Sequence, residues 1–445
     1  MAKFYGTLVS EYGRCEAGCA GCEEACIQAL ADGKGARIQA VHLPETGFHG
    51  VVKCIQCSDP GCREFCPTGA ITKSEEDGIG RINEDKCIGC GLCTLGCPYG
   101  GIYYDPEIKK SYKCDKCDGQ PRCVDACEAG VLSYAEGGAV FEQLGEELQS
   151  RGIGMCQGCG EELAIRMAIR TFGKQTIAFM GPGCTPSAFS GTSLGNTVSI
   201  PTMNAYMTNL PAIASGVRRY FRKIGQEATL VAFAGDGLTA DVGFQCLSGA
   251  AERGENIIYI CLDNEAYMNT GIQRSATTPA GGWTTTTPIG ETSRGKKQKP
   301  KYMPLLMALH GGVSYVATVS PYYLQDYIDK LVKAKAVKDG MAYIHVLSPC
   351  PTGWRSPIDS MVELSKLAVE TNYFPLWESD HGQFRFTYLP KKPRPVKVFT
   401  SLMGRFSHLS DRELQAIQDM ADERFHQIQL QCRATDEKAG KSMSQ

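Results

Sequence analysis

The sequence lacks long apolar runs: nothing in its 445 residues approaches the ~18 consecutive apolar residues of a membrane helix, so no membrane span is expected. Its opening residues, Met1-Ala2-Lys3-Phe4-Tyr5-Gly6, lack an apolar core and a cleavage pattern, so no secretory signal is expected and the expected location is cytoplasmic. An excess of either charge is missing as well. Lys and Arg number 46 against 48 Asp and Glu, a net charge of −2, which argues against a nucleic-acid partner. No G-x-G-x-x-G nucleotide fold is visible, so NAD or flavin chemistry belongs to another subunit. With 43% apolar residues the chain can bury a sizeable core in two or three domains.

What the sequence does have is cysteine. Sixteen of its 23 cysteines lie between Cys15 and Cys127. Disulfides are the weakest explanation, because nothing points to export into an oxidising compartment. Zinc and iron–sulfur ligation are separated by spacing. Cys87, Cys90, Cys93 and Cys97, followed by Pro98, make C-x₂-C-x₂-C-x₃-C-P, in which three close thiolates grip one cubane and the fourth reaches the next. Cys54, Cys57, Cys62 and Cys66, followed by Pro67, repeat the device with an insertion. Zinc ribbons use well-separated C-x₂-C pairs instead. Two looser quartets flank these: Cys15, Cys19, Cys22 and Cys26 before, and Cys114, Cys117, Cys123 and Cys127 after. Glycines between ligands, such as Gly89, Gly91 and Gly96, let backbone N–H groups approach cluster sulfurs.

The segment resembles the four-cluster electron-transfer subunits of molybdenum oxidoreductases and hydrogenases. That resemblance implies exchanged fourth ligands, giving the sets Cys15/Cys19/Cys22/Cys127, Cys54/Cys57/Cys62/Cys97, Cys87/Cys90/Cys93/Cys66 and Cys114/Cys117/Cys123/Cys26. Residues 1–140 are thus expected to be a small α+β, ferredoxin-like domain carrying four [4Fe–4S] clusters as a wire.

A glycine-rich connector is expected over 141–155, with Gly137-Gly138 just before it. Beyond it, apolar runs at Thr229–Ala234, 256–262 and Ala342–Leu347 are separated by helix-length spacers, one of them Val242–Arg253. This pattern implies an α/β domain over 156–360, a parallel sheet with helices on both faces and functional residues at the carboxyl ends of its strands. Residues 361–445 are expected to form a helical C-terminal extension.

Two strand ends carry chemistry. Gly235-Asp236-Gly237 closes the first run and is a common turn when taken alone. The second run ends in Asp263-Asn264-Glu265-Ala266-Tyr267-Met268-Asn269-Thr270-Gly271. A Mg²⁺ ion shared with a diphosphate needs a carboxylate, a neutral side-chain oxygen and a carbonyl, which Asp236, Asn264 and Ala266 can supply. This spacing is the thiamine diphosphate motif.

From about Gly154 to Pro357 the chain resembles the thiamine-binding β subunits of 2-oxoacid:ferredoxin oxidoreductases. The phrase Tyr267-x-Asn269-Thr270-Gly271-x-Gln273, with Thr278-Pro279, carries the likeness, although Ile272 stands where TGGQ is usual. Cys156-Gln157-Gly158-Cys159-Gly160-Glu161, Gly181-Pro182-Gly183-Cys184 and Pro349-Cys350 match the family's ligand elements. They imply a fifth [4Fe–4S] cluster on Cys156, Cys159, Cys184 and Cys350. The resemblance also implies cofactor contacts from Gly235, Gly237, Thr270 and Cys184, and catalytic roles for Asn269 and Glu161, though Glu161 could equally cap the following helix. Met207-Thr208-Asn209-Leu210-Pro211 departs from a His-Gly-Arg-like family element. Cys246, Cys261 and Cys432 match nothing and are expected to be buried spectators. The basic stretch Arg294, Lys296, Lys297, Lys299 and Lys301 reads as a solvated loop.

The implied activity is oxidative decarboxylation of a 2-oxoacid to acyl-CoA and CO₂ in a complex with α and γ subunits. Electrons would pass along the clusters to ferredoxin or to an NAD- or flavin-dependent subunit. Fusion of four clusters to the β chain resembles the phenylglyoxylate-oxidising branch of the family. Pyruvate or another 2-oxoacid stays open as substrate, as does a pure electron-transfer role.

Overall fold

The computed structural model describes residues 7–10, 15, 18–30, 32–43, 48–57, 60–74, 77–97, 99–135, 144–150, 154–189, 197–390 and 392–442. The chain divides into two compact units, Met1–Glu142 and Gln143–Gln445. Among the expected features, Pro98, Gly137-Gly138 and residues 141–143 and 151–153 of the connector lie outside the described residues. The rest of that connector is no free linker. Leu148 is buried in the second unit's core, and Gln149 Nε2 donates to the Ala188 carbonyl at 2.6 Å.

The first unit is built from two-stranded antiparallel ladders, a ten-residue helix (Gly21–Leu30) and single helical turns. Strand β1 (Thr7–Ser10) pairs with β8 (Leu132–Ala135), β2 (Ile38–Leu43) with β3 (Phe48–Lys53), β4 (Ile71–Lys73) with β5 (Gly80–Ile82), and β6 (Ile102–Asp105) with β7 (Lys110–Lys113). Short helices Gly61–Glu64, Leu92–Leu95 and Arg122–Asp125 each carry one cysteine inside. The first two touch at glycines: a Cβ on Gly61 would meet the Gly96 carbonyl oxygen at 2.7 Å, so any side chain would push the cysteine-bearing turns apart. Apolar residues are too few for an ordinary core, and the cysteines themselves fill it alongside Leu8, Ile38, Val51, Ile71 and Ile102.

The second unit is an eight-stranded sheet in the order β10-β9-β11-β12-β14-β13-β15-β16. These strands are β9 (Thr176–Met180), β10 (Thr202–Asn204), β11 (Thr229–Gly235), β12 (Ile258–Asp263), β13 (Val313–Val319), β14 (Met341–Leu347), β15 (Leu376–Asp380) and β16 (Gln383–Tyr388). All pairings from β10 to β13 are parallel, while β15 and β16 close one edge antiparallel. Strand side chains alternate between two cores. Val231, Phe233, Ile258 and Ile260 belong to one, and Leu230, Ala232, Tyr259 and Cys261 to the other. Both faces are therefore covered by helices, which is why these strands read as continuous apolar runs. The spacer expected as a buried helix is one, Phe244–Glu252, entered through a π-helical turn at Leu238–Val242.

Two expectations need correction. Residues 361–445 are not all helical, because β15 and β16 extend the sheet before the long helix Asp411–Ser442 begins. The basic stretch is solvated as expected at Arg294, Lys297, Lys299 and Lys301, which are exposed, but not at Lys296. Lys296 is buried, donating to the carbonyls of Ala276 at 2.9 Å and Thr278 at 2.6 Å, and burial lowers its pKa to about 8. Arg294 pairs with Glu413, Lys299 with Glu423, and Lys301 donates to the Ala240 carbonyl.

Candidate functional site

The topology opens a crevice where the expected residues lie. From β9 the chain crosses to β10 on one side, whereas β11 leads on to β12 on the other, so the loops after β9 and β11 part. A cavity of about 140 Å³ sits there, and Glu161, Cys184, Gly235, Asp236, Gly237, Asn264, Ala266, Asn269 and Thr270 all line it. Every residue expected to touch the thiamine cofactor thus faces one space. Met207, from the departing element, forms part of the same wall, as do Thr185, Tyr267 and Met268.

Each side chain is placed by its element. Parallel pairing of Gly235 with Leu262 brings the ends of β11 and β12 side by side. Gly237 has to be glycine, since a Cβ there would meet the Tyr267 ring at 2.4 Å, while Tyr267 Oη donates to the Gly237 carbonyl at 2.9 Å. Asn264 Nδ2 donates to Glu161 Oε1 at 2.5 Å, and Asn264 Oδ1 accepts from Ala266 N–H at 3.3 Å. Glu161 is therefore turned to the cavity and not engaged as a helix cap. Glu265 bends the loop with φ of 65°, a left-handed conformation uncommon for a residue with a side chain.

The electrostatics are those of a site short of positive charge. Asp236 is 1% exposed. Burial and then the neighbouring Asp263 push its pKa well above the carboxylate range, against hydrogen bonds from Ser275 and Thr277. Burial raises Glu161 to about 7, with Asp263 adding to the effect and Asn264 opposing it. Glu161 Oε2 has no hydrogen-bond partner among the described residues. A buried carboxylate, an amide oxygen and a backbone carbonyl around a cavity, with an orphaned acid beside them, fit a hard divalent cation bridged to a diphosphate. Asp236, Asn264 and Ala266 are the residues that could hold it.

Sequence reasoning missed the support beneath these groups. Thr277 Oγ1 lies 2.8 Å from Asp236 Oδ2 and 2.9 Å from Asp263 Oδ1. Behind Asp263, His345 Nε2 lies 2.9 Å from its Oδ2, and Tyr343 Oη 2.8 Å from His345 Nδ1. The position of His345 within the apolar run of β14 was the available signal, since a lone histidine on a buried strand needs a partner.

The remaining cysteines gather at the cavity's side. Burial raises Cys159 to about 12 and Cys350 to about 11, and raises Cys184 further; the charge of Glu161 adds to all three. Cys156, Cys159 and Cys350 also act electrostatically on Cys184, so the four thiols share one place. Such thiols ionise only against strong positive charge, as iron would provide.

In the first unit, Cys54, Cys57, Cys62 and Cys97 line one hollow, Cys66, Cys87, Cys90 and Cys93 a second, and Cys26, Cys114, Cys117 and Cys123 a third. Cys22 is raised to about 11 by burial, then by Glu23, Cys19, Cys15 and Cys127. Each grouping joins the first three cysteines of one quartet to the fourth of another. Backbone N–H groups already point at sulfur, as from Ala70 to Cys66 at 3.3 Å and from Arg37 to Cys26 at 3.2 Å. Of the unassigned cysteines, Cys261 is fully buried, and Cys246 and Cys432 are half-buried.

Residues 181–346 match the thiamine pyrophosphate enzyme C-terminal TPP-binding domain, and residues 48–137 match the 4Fe-4S dicluster domain. Over 429 residues the chain is 42% identical to the NADH-dependent phenylglyoxylate dehydrogenase subunit beta of Aromatoleum evansii, covering 94% of this chain and 96% of that one. It belongs to the 2-oxoacid oxidoreductase family, as a thiamine-binding β subunit. The pyruvate synthase subunit PorB of Methanothermobacter marburgensis is 46% identical over 286 residues, 64% of this chain and 98% of its own. The ketoisovalerate oxidoreductase subunit VorB of Pyrococcus horikoshii is 38% identical over 291 residues, 64% of this chain and 93% of its own. Family members of PorB and VorB type therefore span about two thirds of this chain. A thiamine-binding domain and an iron–sulfur domain are thus shown for it, and its relatives are subunits of oxidoreductases. Among the described residues no helix is long and apolar enough to cross a membrane.

Proposed function

We infer that this subunit binds thiamine diphosphate through Mg²⁺ and carries five [4Fe–4S] clusters, serving the oxidative decarboxylation of a 2-oxoacid, with CoA as acyl acceptor. The observation that carries the reading is Cys184: it lines the thiamine cavity and shares its surroundings with Cys156, Cys159 and Cys350. An electron acceptor ligated there would border the reacting cofactor. When bound, thiamine diphosphate supplies a carbon nucleophile that adds to the keto group of the 2-oxoacid. The chain's own residues do the rest. Asp236, Asn264 and the Ala266 carbonyl hold the cation and diphosphate, with Gly235, Gly237 and Thr270 lining the approach. Glu161 fixes the Asn264 amide and keeps a proton-binding oxygen in the cavity, and Asn269 presents an amide to the bound molecules. Apolar walls, buried Leu238 and half-buried Met207 among them, exclude water.

The cysteine sets of the first unit would carry electrons onward to ferredoxin or an NAD-reducing subunit, with α and γ subunits completing the complex. The 42% identity to a phenylglyoxylate dehydrogenase β chain over 94% of this chain favours phenylglyoxylate, converted to benzoyl-CoA, as the substrate. Anaerobic purification of the native complex tests the reading: about twenty irons per chain, one thiamine, and CoA-dependent viologen reduction with phenylglyoxylate above pyruvate are expected. About sixteen irons would remove the fifth cluster. Failure to reduce viologen with any 2-oxoacid would overturn the activity.

A further inference from the structure

We propose that Arg405 is a positioning residue that joins the thiamine-diphosphate loop to the adjacent cluster-ligand turn, fixing the two cofactors relative to each other and adding positive charge to the cluster. The inference rests on the thiamine and fifth-cluster reading above. Arg405 lies in a 3₁₀ turn, Gly404–Phe406, far in sequence from both loops and beyond the matched thiamine domain. It is 2% exposed. Its guanidinium donates to one carboxylate oxygen of Glu265, while Tyr373 Oη donates to the other at 2.6 Å. Glu265 is the left-handed residue between Asn264 and Ala266, so this clamp holds the strained centre of the cation-binding loop.

The same guanidinium lies over the neighbouring turn. Its carbon sits 4.3 Å from the centre of the Trp354 ring, a cation–π stack. Trp354 Nε1 donates to the Asn264 carbonyl at 2.8 Å, and Trp354 N–H to the Cys350 carbonyl at 2.8 Å. Gly353 sits so close to Met268 that a Cβ would meet its sulfur at 2.1 Å. Loop and turn thus touch directly at two points, and Arg405, held by Glu265 and Trp354, adds a third link. A fork-shaped, permanently charged group suits this place, because it can pair with a carboxylate in its plane while stacking through its face. The Arg405 charge thus sits on the ring of Trp354, the residue whose N–H is bonded to the Cys350 carbonyl.

A buried ion pair alone would be an ordinary structural feature, so the test needs a readout that packing would not move. In the intact complex, Arg405→Met, Arg405→Lys and Trp354→Phe are compared with wild type for thiamine diphosphate affinity at fixed Mg²⁺ and for cluster midpoint potentials. Arg405→Met should weaken thiamine binding roughly 10–100-fold and move one component of the redox titration to a more negative potential. Arg405→Lys keeps the charge and should restore the potential but not the affinity. Trp354→Phe keeps the stack and loses the Asn264 contact, so affinity should fall with potentials unchanged. Wild-type affinity and potentials in Arg405→Met overturn the proposal, and so does weakened affinity with every potential in place. If Arg405→Met does not assemble, wild-type affinity in the other two variants overturns it. A wild-type complex that binds no thiamine would instead refute the reading beneath it.

Discussion

Thr277 has one hydroxyl proton and two buried carboxylates within reach of it, Asp236 and Asp263. It cannot fully satisfy both, and a cation at Asp236 would relieve the repulsion. Asp236 has a folded pKa raised above its unfolded value. For a raised carboxylate, stability is complete below the unfolded pKa and is lost as pH rises through the folded one. Asp236→Asn mimics the protonated form, so the metal-free variant should gain ~1 kcal/mol or more at neutral pH. The same variant should lose the thermal shift that Mg²⁺ and thiamine diphosphate give the wild type. Thermal unfolding with and without both ligands checks this; a less stable apo variant would contradict it. Ile272 offers a second residue-scale test. The departure from TGGQ falls at φ of 64°, where a β-branched side chain is strained. Ile272→Gly should therefore be more stable than Ile272→Ala by about 1 kcal/mol, since only glycine removes the strain. Equal stabilities in denaturant unfolding would show that the loop relaxes without it.

At the scale of elements, legibility followed how local the cause was. Strands β11, β12 and β14 were readable because burial on both faces makes each a continuous apolar run. The strand β15 was not, because Glu378 and Ser379 break its pattern, and the partners that justify them are distant. Glu378 is 1% exposed yet accepts from Tyr315 on β13 at 2.6 Å, from Lys333 on the crossover helix at 2.8 Å, and from Arg385 on β16. Lys296 was misread for the same reason: a run of basic residues looks solvated until the carbonyls of Ala276 and Thr278 fold over it. Burial by itself would raise the Glu378 pKa, but its three donors outweigh burial and hold it below the ordinary value. A depressed carboxylate stabilises above the unfolded pKa and loses that contribution as pH falls through the folded one. Glu378→Gln should cost about 1.5–3 kcal/mol at pH 7, and the gap to wild type should close as pH drops below about 4. A gap independent of pH would mean that shape, not charge, holds the edge strands.

Each unit has buried apolar clusters of its own. Every residue expected to hold thiamine, Mg²⁺ or the fifth cluster lies within Gln143–Gln445, and all sixteen cysteines of the wire lie within Met1–Glu142. The cysteine spacings made this division readable, since ligand patterns are local. The cavity's second layer of Thr277, His345 and Arg405 was hidden, since each contributes through neighbours brought together only by the sheet. PorB- and VorB-type relatives, which span 64% of this chain, indicate that the family's fold does not depend on the additional third. Removing residues 1–142 should then leave a folded subunit that assembles with its partners and binds thiamine diphosphate. Iron should drop from about twenty to about four per chain. Viologen, small enough to take electrons at the remaining cluster, should still be reduced with 2-oxoacid and CoA, while reduction of the physiological acceptor should fall at least tenfold, to ~10% or less, as loss of the wire requires. Physiological turnover surviving the truncation would show that electrons leave directly from the thiamine-side cluster, bypassing the first unit.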